Sequence, residues 1–374
     1  MADYLYIHIP FCIRKCIYCD FLSFIHDERA EDRYTAALCR ELELRKDEAG
    51  VLKSVYIGGG TPTVLSPDNL ERLFSCVRRC YIVNSDAEIT VEANPGTIDQ
   101  DKVALLVSHG VNRISLGVQS FEDKELRTLG RIHDSCAALE ACRLIKAAGI
   151  RNLSIDLIYG IPGQSAESWG RTLQTALSLD PLHISTYELT PERHTPLHEL
   201  TVRGSITMPE EDAVLGMYDQ AFDLLSAAGF EHYEISNFAK PGCRCLHNMN
   251  YWDRGAYIGA GAGAHSFLKG RRSQNTEKLG KYVSMTAGAE LPEAGHTDIT
   301  SQEAAREYIF LGLRKTEGLG QETARSFGLD LANTCSELIE EGFLHADNRR
   351  VRLTRKGLTV SNAVIVRIFE LSGL

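Results

Sequence analysis

The sequence predicts an α/β protein: a partial (βα)6 barrel of the TIM type, with a C-terminal α+β extension and a winged-helix-like tail. The first observation is that apolar, β-rich runs alternate with helical stretches through the first half of the 374-residue chain. Such alternation is typical of a parallel sheet whose strands are joined by crossover helices. The second observation is that cysteines, glycines and carboxylates directly follow the predicted strands, where barrels of this type carry their chemistry.

The barrel elements follow one another in regular order. The predicted strands are 4–11, 51–60, 87–95, 111–120, 151–160 and 181–190. The predicted helices are 32–46, 66–80, 101–110, 135–149 and 167–179. Because parallel strands place their carboxyl ends at one edge of the sheet, we expect the functional site at that edge.

The second half of the chain has a different pattern. Residues 191–210 have no periodicity and are interpreted as a linker, followed by a helix (210–228) and a strand with the sequence FEHYEISNF. After a glycine-rich aromatic segment, helices precede a basic hairpin, which is the order of a winged helix. The predicted domains are 1–237 (barrel core), 238–300 (HNxxYW and glycine-rich segment) and 301–374 (winged-helix-like domain).

Composition excludes several classes of protein. The net charge of −10 argues against nucleic-acid binding, so we interpret the winged-helix-like tail as a packing or protein-contact module. No apolar run approaches the length of a membrane span, and the opening MADYLYIHIPF does not resemble a signal peptide. Eleven cysteines, mostly scattered, favour reduced thiols and a metal site over a disulfide framework. We therefore expect a cytoplasmic protein.

Three cysteines stand out directly after the first strand. Cys12, Cys16 and Cys19 form a C-x3-C-x2-C pattern. A structural zinc site needs four ligands, and the only other close pair, Cys243 and Cys245, lies in another region. A [4Fe–4S] cluster held by three thiolates instead leaves one iron open to an added ligand. Buried structural cysteines are the simpler alternative, but those are usually isolated.

The motifs taken together resemble the oxygen-independent coproporphyrinogen III oxidase-like family of the radical S-adenosylmethionine (SAM) superfamily. They are YIHIPFCxxxCxYCDF, YIGGGTPT, EANPGT, RISLGVQSF, DLIYGIPGQ, HNMNYW and GAGAHS. The resemblance covers nearly the whole chain. It implies a radical SAM barrel with a [4Fe–4S] cluster on Cys12, Cys16 and Cys19, and with SAM on the open iron.

The resemblance also implies which residues contact SAM. The glycine run after the second strand would approach the methionine amino group, since no Cβ interferes. Polar residues at later strand ends resemble those that contact the carboxylate, ribose and sulfonium. The implied set is Tyr6, Tyr18, Gly59, Gly60, Thr61, Glu92, Gln119, Arg131 and Asp156. Taken singly, each could instead be a solvated loop residue or a helix cap.

Two departures distinguish the chain from the porphyrinogen-oxidising members. Those members carry a fourth cysteine where Phe21 stands here, and an N-terminal extension for which the position of Cys12 leaves no room. Both departures resemble the haem chaperone branch (HemW type), which implies haem as cargo and a haem-acceptor protein of unknown identity. The alternative is a coproporphyrinogen III dehydrogenase, a radical SAM oxidative decarboxylase. Any cleavage of SAM would require an electron donor.

The HNMNYW motif supplies the predicted haem contacts. His247 could be an axial ligand, while Tyr251 and Trp252 could lie against the porphyrin face. Cys245 offers an alternative thiolate. The competing interpretation is a capped turn whose aromatic rings pack under the barrel.

Overall fold

The computed structural model describes residues 1–374. Its β-strands are β1 (Ala2–Ile9), β2 (Phe11–Cys12), β3 (Phe24–Ile25), β4 (Ala49–Gly59), β5 (Ile82–Ala93), β6 (Arg113–Gln119), β7 (Asn152–Tyr159), β8 (His183–Glu188), β9 (Glu231–Glu234), β10 (Asn237–Ala239), β11 (Ile258–Ala260), β12 (His265–Leu268), β13 (Arg271–Asn275), β14 (Glu293–Asp298), β15 (Leu319–Gly320), β16 (Leu344–Ala346) and β17 (Arg350–Leu353).

The α-helices are α1 (Glu28–Leu44), α2 (Pro67–Cys80), α3 (Gln100–Ser108), α4 (Asp123–Thr128), α5 (Ser135–Ala147), α6 (Ala166–Ser178), α7 (Pro196–Val202), α8 (Glu211–Ala227), α9 (Leu246–Trp252), α10 (Leu279–Ala287), α11 (Ser301–Gly312), α12 (Gln321–Ser326), α13 (Leu331–Thr334), α14 (Ser336–Glu340), α15 (Arg355–Thr359) and α16 (Ser361–Ser372). Two short 3-10 helices lie at Lys46–Glu48 and Pro62–Val64.

A nine-stranded sheet forms the centre of the protein, in the order β11-β1-β4-β5-β6-β7-β8-β10-β9. The six predicted strands are β1 and β4 to β8, and each pairs in parallel with the next. The five predicted helices are α1, α2, α3, α5 and α6. The predicted α/β barrel is therefore confirmed, and the carboxyl ends of its strands share one edge.

Local sequence accounts for where the crossover helices begin. Each of the five starts after a residue whose side chain accepts a hydrogen bond from a backbone amide of the first turn. These capping residues are Asp27, Ser66, Asp99, Asp134 and Ser165. Such caps satisfy amides that have no partner within the helix, and each is worth about 1 kcal/mol.

Three features differ from the prediction. Residues 191–210 are not a plain linker, because they contain the helix α7. The single strand predicted at FEHYEISNF is an antiparallel hairpin, β9 and β10, which extends the sheet beyond β8. At the other edge, β11 from the glycine-rich segment pairs in parallel with β1. The sheet thus continues past residue 237, where the sequence placed a domain boundary, and that division stays a prediction.

The C-terminal residues form a second hydrophobic core of 16 buried residues, reaching from Ala305 to Ile368. Helices precede the hairpin of β16 and β17 as predicted, and β15 completes a three-stranded sheet beside it. Glu307 on α11 joins this region to the preceding segment through ion pairs with Arg254 and Arg272. No helix combines the length and apolar character that crossing a membrane requires.

Candidate functional site

The three clustered cysteines lie at the carboxyl edge of the sheet, in the loop that follows β1. All three are free, partly exposed thiols that line one cavity of about 420 Å³. The Cys12 Sγ lies 3.6 Å from the Thr61 Oγ1. The Cys19 amide donates to the Cys16 carbonyl at 3.3 Å, which folds the loop back on itself. The loop therefore presents three sulfur atoms to one space.

Arg131 supplies a cation at this loop. Its Nη1 lies 3.4 Å from the Cys16 Sγ, and its Nη2 donates to the Gly117 carbonyl at 2.7 Å. Burial raises the pKa of Cys19 to about 11, with the neighbouring cysteines adding to the effect. An apoprotein therefore keeps the Cys19 thiol protonated at neutral pH. Burial also raises the pKa of Cys12, and the charge of Arg131 opposes part of that effect.

Two partly buried carboxylates, Glu92 and Asp156, also line the cavity. Glu92, at the end of β5, accepts hydrogen bonds from the Tyr56 hydroxyl at 2.8 Å and the Gly59 amide at 3.0 Å. Burial raises the pKa of Glu92 to about 7. Asp156 on β7 also has a pKa raised by burial, and it accepts hydrogen bonds from serine hydroxyls. Those serines are Ser115, Ser154 and Ser185.

The glycines leave space that a side chain would fill. Gly59 has a φ of +115°, which favours glycine. A Cβ at Gly60 would lie 2.6 Å from the Phe11 carbonyl oxygen and 3.0 Å from the Cys12 Sγ. These residues therefore keep the cavity open beside the thiols.

Two buried polar atoms at the cavity have no hydrogen-bond partner in the protein. They are the Gln119 Oε1 and the Arg131 Nε. Gln119 also has a φ of 70°, which is uncommon for a residue other than glycine. Unpaired buried polar groups are rare in folded proteins and call for an explanation such as a bound ligand. Both residues line the cavity.

The structure brings together eight of the nine residues that the sequence assigned to SAM, because all except Tyr6 line this cavity. Tyr6 points elsewhere: its hydroxyl lies 3.1 Å from the His8 Nδ1, and its ring stacks on Tyr56. Sequence reasoning missed Asn94, which donates to the Thr61 Oγ1 at 2.7 Å. Asn94 belongs to the EANPG run after the third predicted strand, and this run could have identified it.

His247 lies in α9 and is only 1% exposed. Its Nδ1 is 3.0 Å from the Ser54 Oγ, and its Nε2 is 2.9 Å from the Tyr251 hydroxyl. Burial lowers the pKa of His247 to about 3, so the ring is neutral. Both ring nitrogens therefore have hydrogen-bond partners within the protein. Axial ligation by His247 would have to replace one of these contacts, and it stays a prediction.

The other haem candidates have different surroundings. Cys245 is fully buried, and its Sγ lies 3.5 Å from the Glu88 Oε1. Trp252 packs against the Arg314 guanidinium, 5.5 Å from its ring centroid. Tyr251 lines a second cavity, of about 310 Å³. Haem contacts by Tyr251 and Trp252 likewise stay predictions.

Comparison with known proteins places this architecture in a class. The Radical SAM superfamily model matches residues 6–176, and the HemN C-terminal domain model matches residues 299–360. A solved structure of Escherichia coli coproporphyrinogen III oxidase (HemN), a radical SAM enzyme, shares the fold with a TM-score of 0.85. It is 23% identical, and the match covers 98% of this chain and 90% of that chain. The fold is that of a radical SAM protein.

Curated relatives identify the family within this class. The Heme chaperone HemW of Bacillus subtilis is 37% identical, over 96% of this chain and 97% of the relative. The Heme chaperone HemW of Escherichia coli is 42% identical, over 73% of each chain. The protein belongs to the haem chaperone HemW family.

Proposed function

We propose that this protein binds haem and transfers it to an acceptor protein, on a radical SAM fold that holds one [4Fe–4S] cluster and SAM. One observation carries the proposal: the cavity has three thiols, and Phe21, 62% exposed, stands where the oxidising members have a fourth. The haem chaperone names of the relatives support the cargo. Two further proteins would take part: the haem acceptor and, if SAM is cleaved, an electron donor. The proposed location is the cytoplasm.

The donor set suits the cluster. Thiolates are the ligands that iron–sulfur clusters require, and Cys12, Cys16 and Cys19 face one space large enough for an inorganic core and a ligand. When bound, the cluster with SAM supplies one-electron reductive chemistry. Arg131 beside Cys16 stabilises the thiolate charge, and Gly60 keeps the backbone clear of the Cys12 sulfur.

The two carboxylates that line the cavity, Glu92 and Asp156, can bind groups of SAM. An amino acid ammonium group would neutralise Glu92, whose charged form is disfavoured by burial while it has no cation. Gln119 and Arg131 would gain partners for their unpaired atoms from carboxylate and hydroxyl groups of the ligand. Asp156 lines the same cavity and can accept hydrogen bonds from hydroxyl groups of the ligand. Tyr6 would act only indirectly, by packing against Tyr56.

Haem transfer can be tested with isotopically labelled haem. The loaded protein is mixed with a haem-depleted cell extract, and labelled haem is followed into other proteins. Passive release is measured in parallel with excess apomyoglobin as a trap. A chaperone should deliver haem to an acceptor faster than the trap removes it. Transfer no faster than trapping would contradict the proposal, and anaerobic conversion of coproporphyrinogen III would favour the dehydrogenase instead.

A further inference from the structure

A group of thiols lies between the first two crossover helices, outside the cavity at the strand ends. Cys39 and Glu43 are four residues apart on α1, and Cys76 and Cys80 are four residues apart on α2. Side chains at this spacing lie on the same face of a helix. The two faces meet, because the Cys76 thiol donates to the Cys39 carbonyl oxygen at 3.5 Å.

The distances between the donor atoms of this group match those of a metal site. The sulfur atoms of Cys76 and Cys80 are 3.9 Å apart. A carboxylate oxygen of Glu43 and these two sulfurs all lie within 4.8 Å of one another. Two thiolates on a tetrahedral Zn²⁺ ion, each about 2.3 Å from the metal, are about 3.8 Å apart. The two cysteines of α2 therefore need very little movement to bind one ion.

Cys39 can supply a fourth ligand. Its thiol contacts the Arg72 carbonyl oxygen at 3.9 Å, and a thiol is only a weak donor. A hydrogen bond between the side chains of Cys39 and Cys76 lowers the pKa of Cys39, so the two thiols are neighbours. Three thiolates and one carboxylate complete the four-coordinate set that a structural zinc site needs.

The electrostatic surroundings favour a cation at this position. Glu43 and Cys80 lie in the last turns of α1 and α2. The carboxyl end of a helix carries partial negative charge, which stabilises a cation there. Arg79 pairs with the Glu43 Oε1 at 2.5 Å and donates to the Cys76 Sγ at 3.7 Å. Its guanidinium would therefore offset part of the negative charge of the ligands, while the second Glu43 oxygen stays available.

The packing of the two helices fixes the position of these side chains. The Tyr81 hydroxyl, one residue beyond α2, donates to the Leu42 carbonyl oxygen of α1 at 2.9 Å. Each helix ends shortly before the next strand, β4 or β5, begins at the amino edge of the sheet. The thiol group therefore lies at the end of the barrel opposite the loop of Cys12, Cys16 and Cys19. That end of such a barrel contributes to stability, whereas the chemistry takes place at the other.

We propose that α1 and α2 bind one structural Zn²⁺ ion between them. Its ligands are Cys39, Glu43, Cys76 and Cys80. Thiolates select zinc over cations such as Mg²⁺ and Ca²⁺, which prefer oxygen ligands. The ion cross-links the two helices and stabilises the folded barrel, because its ligands are gathered only in the folded chain. The site is separate from the residues proposed for the cluster, SAM and haem, and it does not rest on the proposed function.

The test measures zinc in the cluster-loaded protein, kept anaerobic and reduced. The protein is dialysed with Zn²⁺ and then against a weak chelator, and elemental mass spectrometry distinguishes zinc from the iron of the cluster. The wild type should retain one zinc per chain, with sulfur ligands at about 2.3 Å in X-ray absorption at the zinc edge. The double variant Cys76→Ala/Cys80→Ala should retain no zinc and keep its iron. The control Cys136→Ala removes an exposed thiol of α5 and should retain both metals.

A second variant leaves the packed thiols in place. Glu43 has a half-exposed side chain, so Glu43→Gln should fold normally. It should weaken zinc binding by about tenfold or more in competition with a chromophoric chelator, since even the partners of metal ligands contribute that much. Zinc should raise the melting temperature of the wild type and of Cys136→Ala, and it should leave that of the double variant unchanged.

Three results would overturn the proposal. The first is a wild-type protein that retains no zinc. The second is a folded double variant with as much zinc as the wild type, which would place the ion at other thiols, such as those of the cluster loop. The third is unchanged zinc affinity in Glu43→Gln, which would remove the carboxylate from the ligand set. Circular dichroism of each variant establishes that it is folded.

Discussion

Replacement of Glu92 by glutamine should stabilise the apoprotein at high pH while weakening SAM binding. The Glu92 carboxylate lies at the end of β5, where desolvation, with the charge of Asp156 adding to it, raises its pKa from 4.5 to about 7. Its hydrogen bonds with Tyr56 and Gly59 offset only part of this effect. A carboxylate held at such a cost in a cavity is typical of a ligand-binding group.

The expected magnitude follows from the pKa. A shift from 4.5 to about 7 corresponds to about 3.5 kcal/mol, because each pKa unit is worth about 1.4 kcal/mol. Since the folded-state pKa is the higher one, the stability of the wild type associated with the protonated Glu92 is fully present below pH 4.5 and is lost as pH rises through about 7. Glutamine carries no charge at either pH. After about 1 kcal/mol is subtracted for the hydrogen bond from Gly59, Glu92→Gln should be more stable than wild type by about 2.5 kcal/mol at high pH.

Urea unfolding of the two apoproteins on either side of this pH range measures the difference. The free energy of unfolding of Glu92→Gln should exceed that of the wild type above about pH 7 and should not exceed it near pH 4.5. Glu192→Gln is a matched control, because Glu192 is an exposed carboxylate on the rim of the same cavity. As a substitution on the surface, Glu192→Gln should change the free energy of unfolding by no more than about 0.5 kcal/mol. A stability difference for Glu92→Gln that does not change with pH would refute the reasoning.

The same variant should bind SAM roughly tenfold to a hundredfold more weakly once the cluster is in place, since a hydrogen bond to a charged group is worth about 1.5–3 kcal/mol. Equilibrium dialysis with labelled SAM measures the affinity. Unchanged affinity would show that Glu92 does not contact the ligand.

Three further predictions concern the cluster, the reaction and the loop. Alanine at Cys12, Cys16 or Cys19 should abolish the iron–sulfur absorption and iron content. The control Cys142→Ala replaces a buried thiol in α5 and should keep both. A full complement of iron in any of the first three variants would disprove the ligand set. Anaerobic incubation of the reconstituted protein with coproporphyrinogen III, SAM and a reductant should give no protoporphyrinogen by chromatography, and stoichiometric conversion would restore the oxidative alternative. Arg131→Met should lower cluster retention on gel filtration, because the cation beside Cys16 is lost; equal retention would assign Arg131 no role in stabilising the thiolates.

The long elements of the fold could be predicted because each carries its own pattern. β6, for example, has six consecutive buried residues, most of them without a polar side chain, and helices such as α6 begin at a capping box. β11 has three residues in a glycine-rich segment, and only its pairing with β1 makes it a strand. Short elements of this kind depend on tertiary contacts that a sequence window does not contain.

For the candidate site, the sequence predicts which residues gather at the cavity. Residues far apart in the chain, such as Cys12 and Asp156, meet at one cavity because parallel strands gather their carboxyl ends. The direction in which Tyr6 points and the partners of His247 could not be predicted. The partners of His247 include Ser54 on β4, which is 193 residues away in the chain.

The most direct test of the account is a titration of the cluster-loaded wild-type protein with ferric haem, followed by its Soret absorption against a buffer blank. The account predicts saturation at one haem per chain, with a shifted band that shows coordination by the protein. Linear uptake with no saturation, or a spectrum identical to that of free haem, would contradict the claim that this protein carries haem.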